Sequence, residues 1–252
     1  MQYLIDLLSD FRNRLDDIAT IDSLNDDLLK IYRKSLDEIK SEIEGSQRFG
    51  GLLIKVVQKI DNISSIEKLP DLKAKYAILR EQSVVLIIGS FEVFMSDIFR
   101  NIAENDPDYF RWKDENEKIS IDPSVFSVGF TLGDAILAHL KNKKYSFQDL
   151  KSILKAVDNY VGVKLTLEES DPIRQQIVLG TAIRHIVVHN RSIIDKQFLS
   201  QVKAVPDLSY AEGGRIDLSQ SDVDNVKKAV NDFSEILVNL IIQREDIDDD
   251  PI

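Results

Sequence analysis

Apolar residues recur every three or four positions along almost the whole chain, which is the spacing of amphipathic α-helices. Near the start this pattern predicts two antiparallel helices, over residues 2–18 and 23–44. Three glycines within residues 44–51 then interrupt the pattern, which indicates either a hinge or a tight helix connection. We therefore expect an N-terminal helical hairpin over residues 1–50, followed by a helical domain over residues 51–244.

The apolar pattern is densest in residues 71–104, which predict one long helix that is apolar around most of its circumference. A helix that is apolar on several sides is buried on several sides, so we expect this one to be the central core element. Two glycines allow one small β pairing near residues 213–218, and the acidic residues 245–252 are expected to form a disordered tail. The expected fold class is an all-α bundle.

Residues 105–129 lack sustained periodicity and contain two prolines and the only tryptophan. They predict a long ordered loop or insertion, and such loops are often functional. Tyr109 and Trp112 lie on either side of Arg111 in this segment. Aromatic side chains in such a place either stack on nucleic-acid bases or anchor the loop on the core, and both alternatives fit the sequence.

Composition and charge set bounds on function. The chain has 252 residues, 43% of them hydrophobic, and no cysteine, which excludes disulfides and thiol catalysis. The net charge of −11 opposes broad affinity for nucleic acid. The stretch from Lys141 to Lys155 is basic, however, and is either a solvated helix face or a strip that guides RNA. The longest apolar runs are short, so we expect no membrane segment, no export signal and a cytoplasmic location.

The most specific chemical signal is residues 171–195, which contain two of the three histidines. Asp171 followed by Pro172 is typical of a helix start, and Asn190 indicates the helix end because asparagine tolerates the left-handed conformation. The helix therefore carries His185 and His189 one turn apart near its C-terminal end, on nearly one face. The third histidine lies elsewhere, without neighbours at ligand spacing.

Three interpretations of the histidine pair compete. A metal site is one, but the zinc-protease motif needs glutamate after the first histidine, where this chain has Ile186. A structural role is the second, because histidine near a helix C-terminus interacts favourably with the helix dipole. Acid–base chemistry on a phosphodiester is the third, since imidazole titrates near neutral pH.

The run Arg184-His185-Ile186-Val187-Val188-His189-Asn190 resembles the motif of the HEPN superfamily of prokaryotic defence and toxin proteins, in which four to six residues stand between an arginine and a histidine and a polar residue follows the arginine. The segment LREQSVVLIIGSFEVFMSDIFRNIAE is similar to the long helix before that motif. The segment GGRIDLSQSDVDNVKKAVNDFSEILVNLI is similar to the closing helix of the RiboL-PSP-type subfamily of abortive-infection systems. The resemblance covers about residues 70–244 and implies a HEPN-like helical bundle with an N-terminal extension.

Many active members of that superfamily are metal-independent ribonucleases that work as dimers. The resemblance implies that His189 is the general base or acid and that Arg184 binds phosphate. It also implies that His185, at a position where asparagine is more common, is a supporting ligand or a second acid. No cofactor and no metal are expected.

Other residues enter the predicted site by resemblance and by charge. Glu92 lies in the long central helix and either pairs with a lysine or arginine at its edge or orients the motif arginine or a histidine; Asp97 is the alternative for that role. Substrate contacts are expected from Asn190, Arg191 and Lys144.

The function expected from these residues is a homodimeric, metal-independent endoribonuclease of antiviral defence, in abortive infection, or the toxin of a toxin–antitoxin pair. Its expected partners are RNA and an antitoxin or another defence-system protein. The alternative is a non-catalytic subunit with the same fold that dimerises or regulates and binds a protein or nucleic-acid partner.

Overall fold

The computed structural model describes residues 1–44, 54–61, 70–110, 129–206 and 208–248, and their secondary structure is helical with no strand. The all-α prediction is therefore confirmed. The elements are α1 (Gln2–Glu44), α2 (54–61), α3 (Pro70–Asn105), a 3-10 turn (Pro107–Tyr109), α4 (Leu132–Asn142), α5 (Leu150–Ala156), a π-helical turn (Val157–Val161), α6 (Pro172–His189), α7 (Lys196–Gln201) and α8 (Gln220–Asp248).

The long helix α3 is the centre of the bundle, as its apolar pattern predicts. It packs against α1, α4, α6 and α8. Aromatic side chains join these helices: Phe91 of α3 meets Phe233 of α8 edge to face with ring centroids 5.5 Å apart, and Phe94 stacks on Phe11 of α1 at 4.4 Å. Burial of these rings contributes to the hydrophobic stabilisation that holds α1 and α8 on α3.

One stretch of α3, Lys75–Asn105, is long and apolar enough to cross a membrane by length and composition, with a mean hydropathy of 1.5. The expectation that the chain has no membrane segment stays a prediction. Half of its most apolar window is buried inside the bundle. Packing on four neighbouring helices therefore accounts for much of its apolar character.

The predicted N-terminal hairpin is wrong, because α1 is one continuous helix of 43 residues. Residues 19–22 contain neither glycine nor proline, so nothing in the backbone chemistry forces a turn there. Of the apolar residues that suggested a second packed face, Ile31 and Ile39 are instead on the surface, 62% and 43% exposed.

The first half of α1 shares one core with the rest of the bundle. Leu4, Leu8 and Leu15 are buried in the same hydrophobic cluster as α3 and α8. Arg12 of α1 donates from Nε to Asn231 Oδ1 of α8 at 3.0 Å. The predicted domain division at residue 50 lies outside the described residues and stays a prediction.

Two further predictions concern the C-terminal part. The small β pairing is reduced to a single antiparallel bridge between Ile193 and Arg215, so its partner is the turn after α6. Helix α8 continues to Asp248, four residues into the segment predicted to be disordered. Residues 249–252 of that predicted tail lie outside the described part of the chain.

The start of the long predicted loop is anchored on the core. Tyr109 is buried, and its hydroxyl donates to the carbonyl oxygen of Ile241 in α8 at 2.7 Å. The guanidinium of Arg244 lies 4.3 Å from the centre of the Tyr109 ring. Tyr109 therefore anchors the chain and is not exposed for base stacking, while Arg111 and Trp112 lie outside the described residues.

Helix α4 crosses α3 closely at Gly133. A Cβ atom at Gly133 would overlap Arg100 Cγ and lie 2.9 Å from Arg100 Cα, so Gly133→Ala must push α4 away from α3. We expect this variant to lose about 1–3 kcal/mol of unfolding free energy. Gly89→Ala is the matched control: nothing lies within 4 Å of its Cβ position, and replacing a mid-helix glycine gains about 0.5–1 kcal/mol. Urea denaturation measures both, and equal effects would contradict the close crossing.

Candidate functional site

The helix that carries the predicted motif begins and ends as its sequence indicates. Asp171 is its N-cap and accepts a hydrogen bond from Ile173 N at 2.8 Å, with Pro172 in the first turn. The helix ends at His189 with Asn190 as C-cap. A Cβ at Gly180 would lie 2.7 Å from Val226 Cγ1 of α8, so this glycine lets α6 sit deep in the bundle.

Helices α3 and α6 run antiparallel where they meet. Ser192, just after α6, contacts Glu81 near the start of α3, whereas Arg184, earlier in α6, contacts Glu92 further along α3. The exposed end of α6 therefore lies beside the first half of α3.

Arg184 and Glu92 form an ion pair, with 3.3 Å between Nη2 and Oε2. Both side chains are mostly covered, and among the described residues no protein group hydrogen-bonds to Glu92 Oε1 or Arg184 Nε. Burial raises the pKa of the Glu92 carboxyl, and the Arg184 guanidinium opposes that shift. Asp97, the alternative partner, instead pairs with Arg100, so the structure places Glu92 and not Asp97 against the motif arginine.

The two motif histidines lie together at the exposed end of α6. Their ring centroids are 5.1 Å apart and the rings are tilted by 51°. His189 is exposed and His185 is half-buried, so solvent reaches the ring of His189 more freely. His139 lies elsewhere, edge to face with Tyr160 at 6.0 Å.

The turn after α6 contains two consecutive residues with left-handed backbone. Arg191 and Ser192 have φ of 52° and 65°, whereas Asn190 has φ of −128°. The left-handed conformation predicted for Asn190 therefore falls one and two residues later. Asn190 donates from Nδ2 to the carbonyl of Ile193 at 2.7 Å, so its amide stabilises the turn, while Arg191 is exposed.

A buried carboxylate that the sequence interpretation missed holds this turn in place. Glu81 is 3% exposed and accepts a hydrogen bond from Ser192 Oγ at 2.6 Å. Arg215 Nη2 lies 3.2 Å from its other oxygen. The position of Glu81 in the sequence could have indicated its burial. It falls on the same helical stripe as Val84 and Ile88, where an apolar residue is expected. Removing the Glu81 side chain would leave the buried Ser192 hydroxyl without this hydrogen bond, which costs about 1–3 kcal/mol of unfolding free energy.

Lys144 lies in the turn after α4, at the rim of an open cleft of about 620 Å³ that Glu92 also lines. Tyr145 N donates to Leu140 O at 3.0 Å and Lys144 N to Lys141 O at 2.9 Å, the bonding pattern of a Schellman motif. Lys144 occupies the left-handed position of that motif with φ of 65°. Glu92 thus pairs with Arg184 and lines the same cleft as Lys144, and both of these residues are predicted for the site.

Within the described ranges, no group of three or more His, Cys, Asp or Glu side chains is placed to hold a metal ion. No family model, no curated protein and no solved structure matches this chain.

The raised pKa of Glu92 predicts a pH-dependent stability. A carboxyl whose pKa is raised by folding favours the folded state when protonated, so its contribution is present below the ordinary value of 4.5 and is lost as pH rises through the folded pKa. Glu92→Gln removes this titration. We expect the unfolding free energy of Glu92→Gln, relative to the wild type, to increase from pH 4.5 towards neutrality. Urea denaturation across this range measures it, with exposed Glu168→Gln as control; a constant difference would contradict the prediction.

Proposed function

We propose that this protein is a metal-independent endoribonuclease of the HEPN type whose site is formed by Arg184, His185 and His189. The observation that carries the proposal is the clustering of these groups at the exposed end of α6. Two imidazole rings lie 5.1 Å apart, and the arginine of the same helix is oriented by an ion pair with α3. Exposure of His189 supports chemistry more than a core role.

The chemistry needs one base, one acid and a cation. A base removes the proton from the ribose 2′-OH, whose oxygen then attacks the adjacent phosphorus; the bond to the 5′ oxygen breaks, and an acid protonates that oxygen. The products are a 2′,3′-cyclic phosphate and a 5′-hydroxyl. Imidazole titrates near neutral pH and serves either step, so His189 exchanges one proton and His185 is the neighbouring second imidazole.

Arg184 supplies the positive charge in this proposal. A planar guanidinium binds two phosphate oxygens and stabilises the charge that develops on them as the 2′ oxygen attacks. Glu92 contacts Nη2 of this group and so limits the orientations available to the guanidinium. Preorganisation of this kind matters because a cation that must reorient during the reaction stabilises the transition state less.

A homodimer through the α3–α6 surface is part of the proposal. Leu86 and Val93 of α3 and Val188 of α6 are 51%, 48% and 52% exposed, and Val188 directly precedes His189. Leu86 and Val93 are two turns apart on one face of α3, and exposed apolar side chains of this kind are typical of a contact surface. Two-fold pairing there would bring two copies of each catalytic group together.

The biological setting is inferred from the resemblance alone. A ribonuclease of this kind acts in the cytoplasm in antiviral defence by abortive infection, or as the toxin of a toxin–antitoxin pair. A partner protein, either an antitoxin or another defence component, would restrain it.

The test is cleavage of labelled single-stranded RNA by the purified protein in EDTA, with DNA of the same sequence as control. We expect RNA to be cut and DNA to remain intact, because the reaction uses the 2′-OH. Cleavage of both substrates would contradict this reaction. Absence of cleavage by a folded, dimeric wild type would favour the alternative, a non-catalytic dimerisation or regulatory subunit.

A further inference from the structure

The cleft beyond Glu92 has the size and the walls of a ligand site. It lies between α3, α4 and the turn after α4, with a volume of about 620 Å³. Small-molecule sites of proteins are typically about 300–1,000 Å³ and combine apolar walls with a few polar groups. This cleft has both, and Glu92 links it to the guanidinium of Arg184.

One wall of the cleft is aromatic and held rigidly. Phe147 packs against buried Phe99 with ring centroids 5.3 Å apart. The Tyr145 hydroxyl accepts a hydrogen bond from Asn159 Nδ2 at 2.6 Å, and its ring meets Tyr160 edge to face at 5.6 Å. Fixed aromatic rings offer a stacking surface to the planar base of a nucleotide at a low entropic cost.

The rim carries two lysines without an acidic partner. Lys141 and Lys144 both line the cleft and are exposed, and within the described residues neither ammonium group makes an ion pair with a carboxylate. In a chain of net charge −11, two lysines three positions apart that form no ion pair within the described residues give this rim a local positive charge. Their positive charge suits a phosphate group.

The backbone of Lys144 is in the left-handed conformation. Glycine is the usual residue at the left-handed position of a Schellman motif because a side chain there costs about 1–2 kcal/mol. This chain has lysine at that position, with φ of 65° and its side chain on the cleft. A residue kept against its conformational preference at the rim of a cleft indicates a use for the side chain.

We propose that this cleft binds one nucleotide of the RNA substrate, with its base against Leu137 and Phe147 and its phosphate on Lys141 and Lys144. Glu92 also lines the cleft, on the side of its ion pair with Arg184. The inference rests on the proposed ribonuclease function and deepens it. The cleft then selects which nucleotide lies next to the one whose phosphate Arg184 holds.

Binding is measured by fluorescence anisotropy of a labelled 2′-O-methyl RNA hexamer, which lacks the attacking hydroxyl and is not cleaved. Lys144→Gly, Lys144→Ala and Lys141→Ala are each expected to weaken binding about five- to tenfold. Lys143→Ala is the matched control, because it removes the same charge from the same turn outside the cleft, and it should bind within twofold. Phe147→Leu tests the aromatic wall and should also weaken binding.

Lys144→Gly separates the binding role from a folding role. We expect this variant to melt at a higher temperature than the wild type, because glycine relieves the left-handed strain, and yet to bind RNA more weakly. Lys144→Ala loses the charge without relieving that strain. Hexamer binding by both Lys144 variants and by Lys141→Ala within twofold of the wild type would overturn the proposal.

Competition identifies the source of the nucleotide. Displacement of the hexamer by AMP or UMP, reduced in Lys144→Gly, would mean that the cleft also accepts free nucleotides. Displacement only by longer oligomers would mean that it serves the strand, and both results support a nucleotide site. If the wild type cleaves RNA and the lysine variants bind the hexamer as the wild type does, the nucleotide site is wrong and the ribonuclease proposal stands. If the lysine variants bind more weakly but the wild type cleaves no RNA, the nucleotide site stands and the ribonuclease proposal is wrong.

Discussion

His189→Ala is expected to reduce RNA cleavage by about 10²–10⁴-fold, the usual effect of losing a general acid or base. His189 is exposed at the end of α6, so removing its ring leaves no cavity in the core and folding should be unchanged. Measured rates in EDTA therefore report on chemistry. Binding of an uncleavable RNA should change much less than the rate, because the imidazole acts on the proton and not on the resting strand.

The control is His139→Ala, the same substitution at the histidine that lies against Tyr160. It should cleave RNA at nearly the wild-type rate if its helix content is intact. His185→Ala is expected to fall between the two, since its half-buried ring is the second imidazole of the pair. Equal rates for His189→Ala and the wild type would remove this residue from the mechanism.

Arg184→Ala is the second change with a large expected effect, about 10²–10³-fold on cleavage, as for other groups that stabilise transition-state charge. It also leaves the covered carboxylate of Glu92 without its cation. The pKa of Glu92 then rises further, because the guanidinium is the one cause that lowers it. We therefore expect the folded state to lose stability at neutral pH.

A double-mutant cycle with Glu92→Gln separates the two roles of Arg184. In the double variant, the buried charge is gone, so urea denaturation should show stability regained relative to Arg184→Ala alone. Cleavage should stay low because the cation proposed to bind phosphate is still missing. Recovery of cleavage together with stability would mean that Arg184 is structural. Arg174→Ala, at the other end of α6, controls for the loss of an arginine from this helix.

The class of the fold and its central helix follow from apolar spacing, since helical periodicity decides which faces are buried. α3 is the clearest case, because its apolar residues surround it and four helices cover it. The N-terminal segment shows the limit. The apolar positions of residues 2–18 and 23–44 fit two helices joined by a turn and one straight helix equally well. The chain forms one helix, α1, with Ile31 on its surface.

Local capping rules also predict the ends of the motif helix, but they do not predict the contacts around it. Asp171 and Asn190 mark its ends because their chemistry is local. The buried contacts of Glu81 with Ser192 and Arg215 join residues more than 100 positions apart, and no local rule connects them. Whether Glu92 or Asp97 faces Arg184 depends on the rotation of α3 about its axis, which no local rule predicts either. The strained turn at Arg191 is likewise visible only in three dimensions.

The most direct test of the central claim is the chemical identity of the ends formed when the wild-type protein cuts RNA in EDTA. Mass spectrometry of the fragments distinguishes the two routes. Attack by the 2′ oxygen, with proton transfer by His189 and charge stabilisation by Arg184, predicts a 2′,3′-cyclic phosphate and a 5′-hydroxyl. Fragments that end in a 3′-hydroxyl and a 5′-phosphate, the products of direct attack by water, would contradict the account.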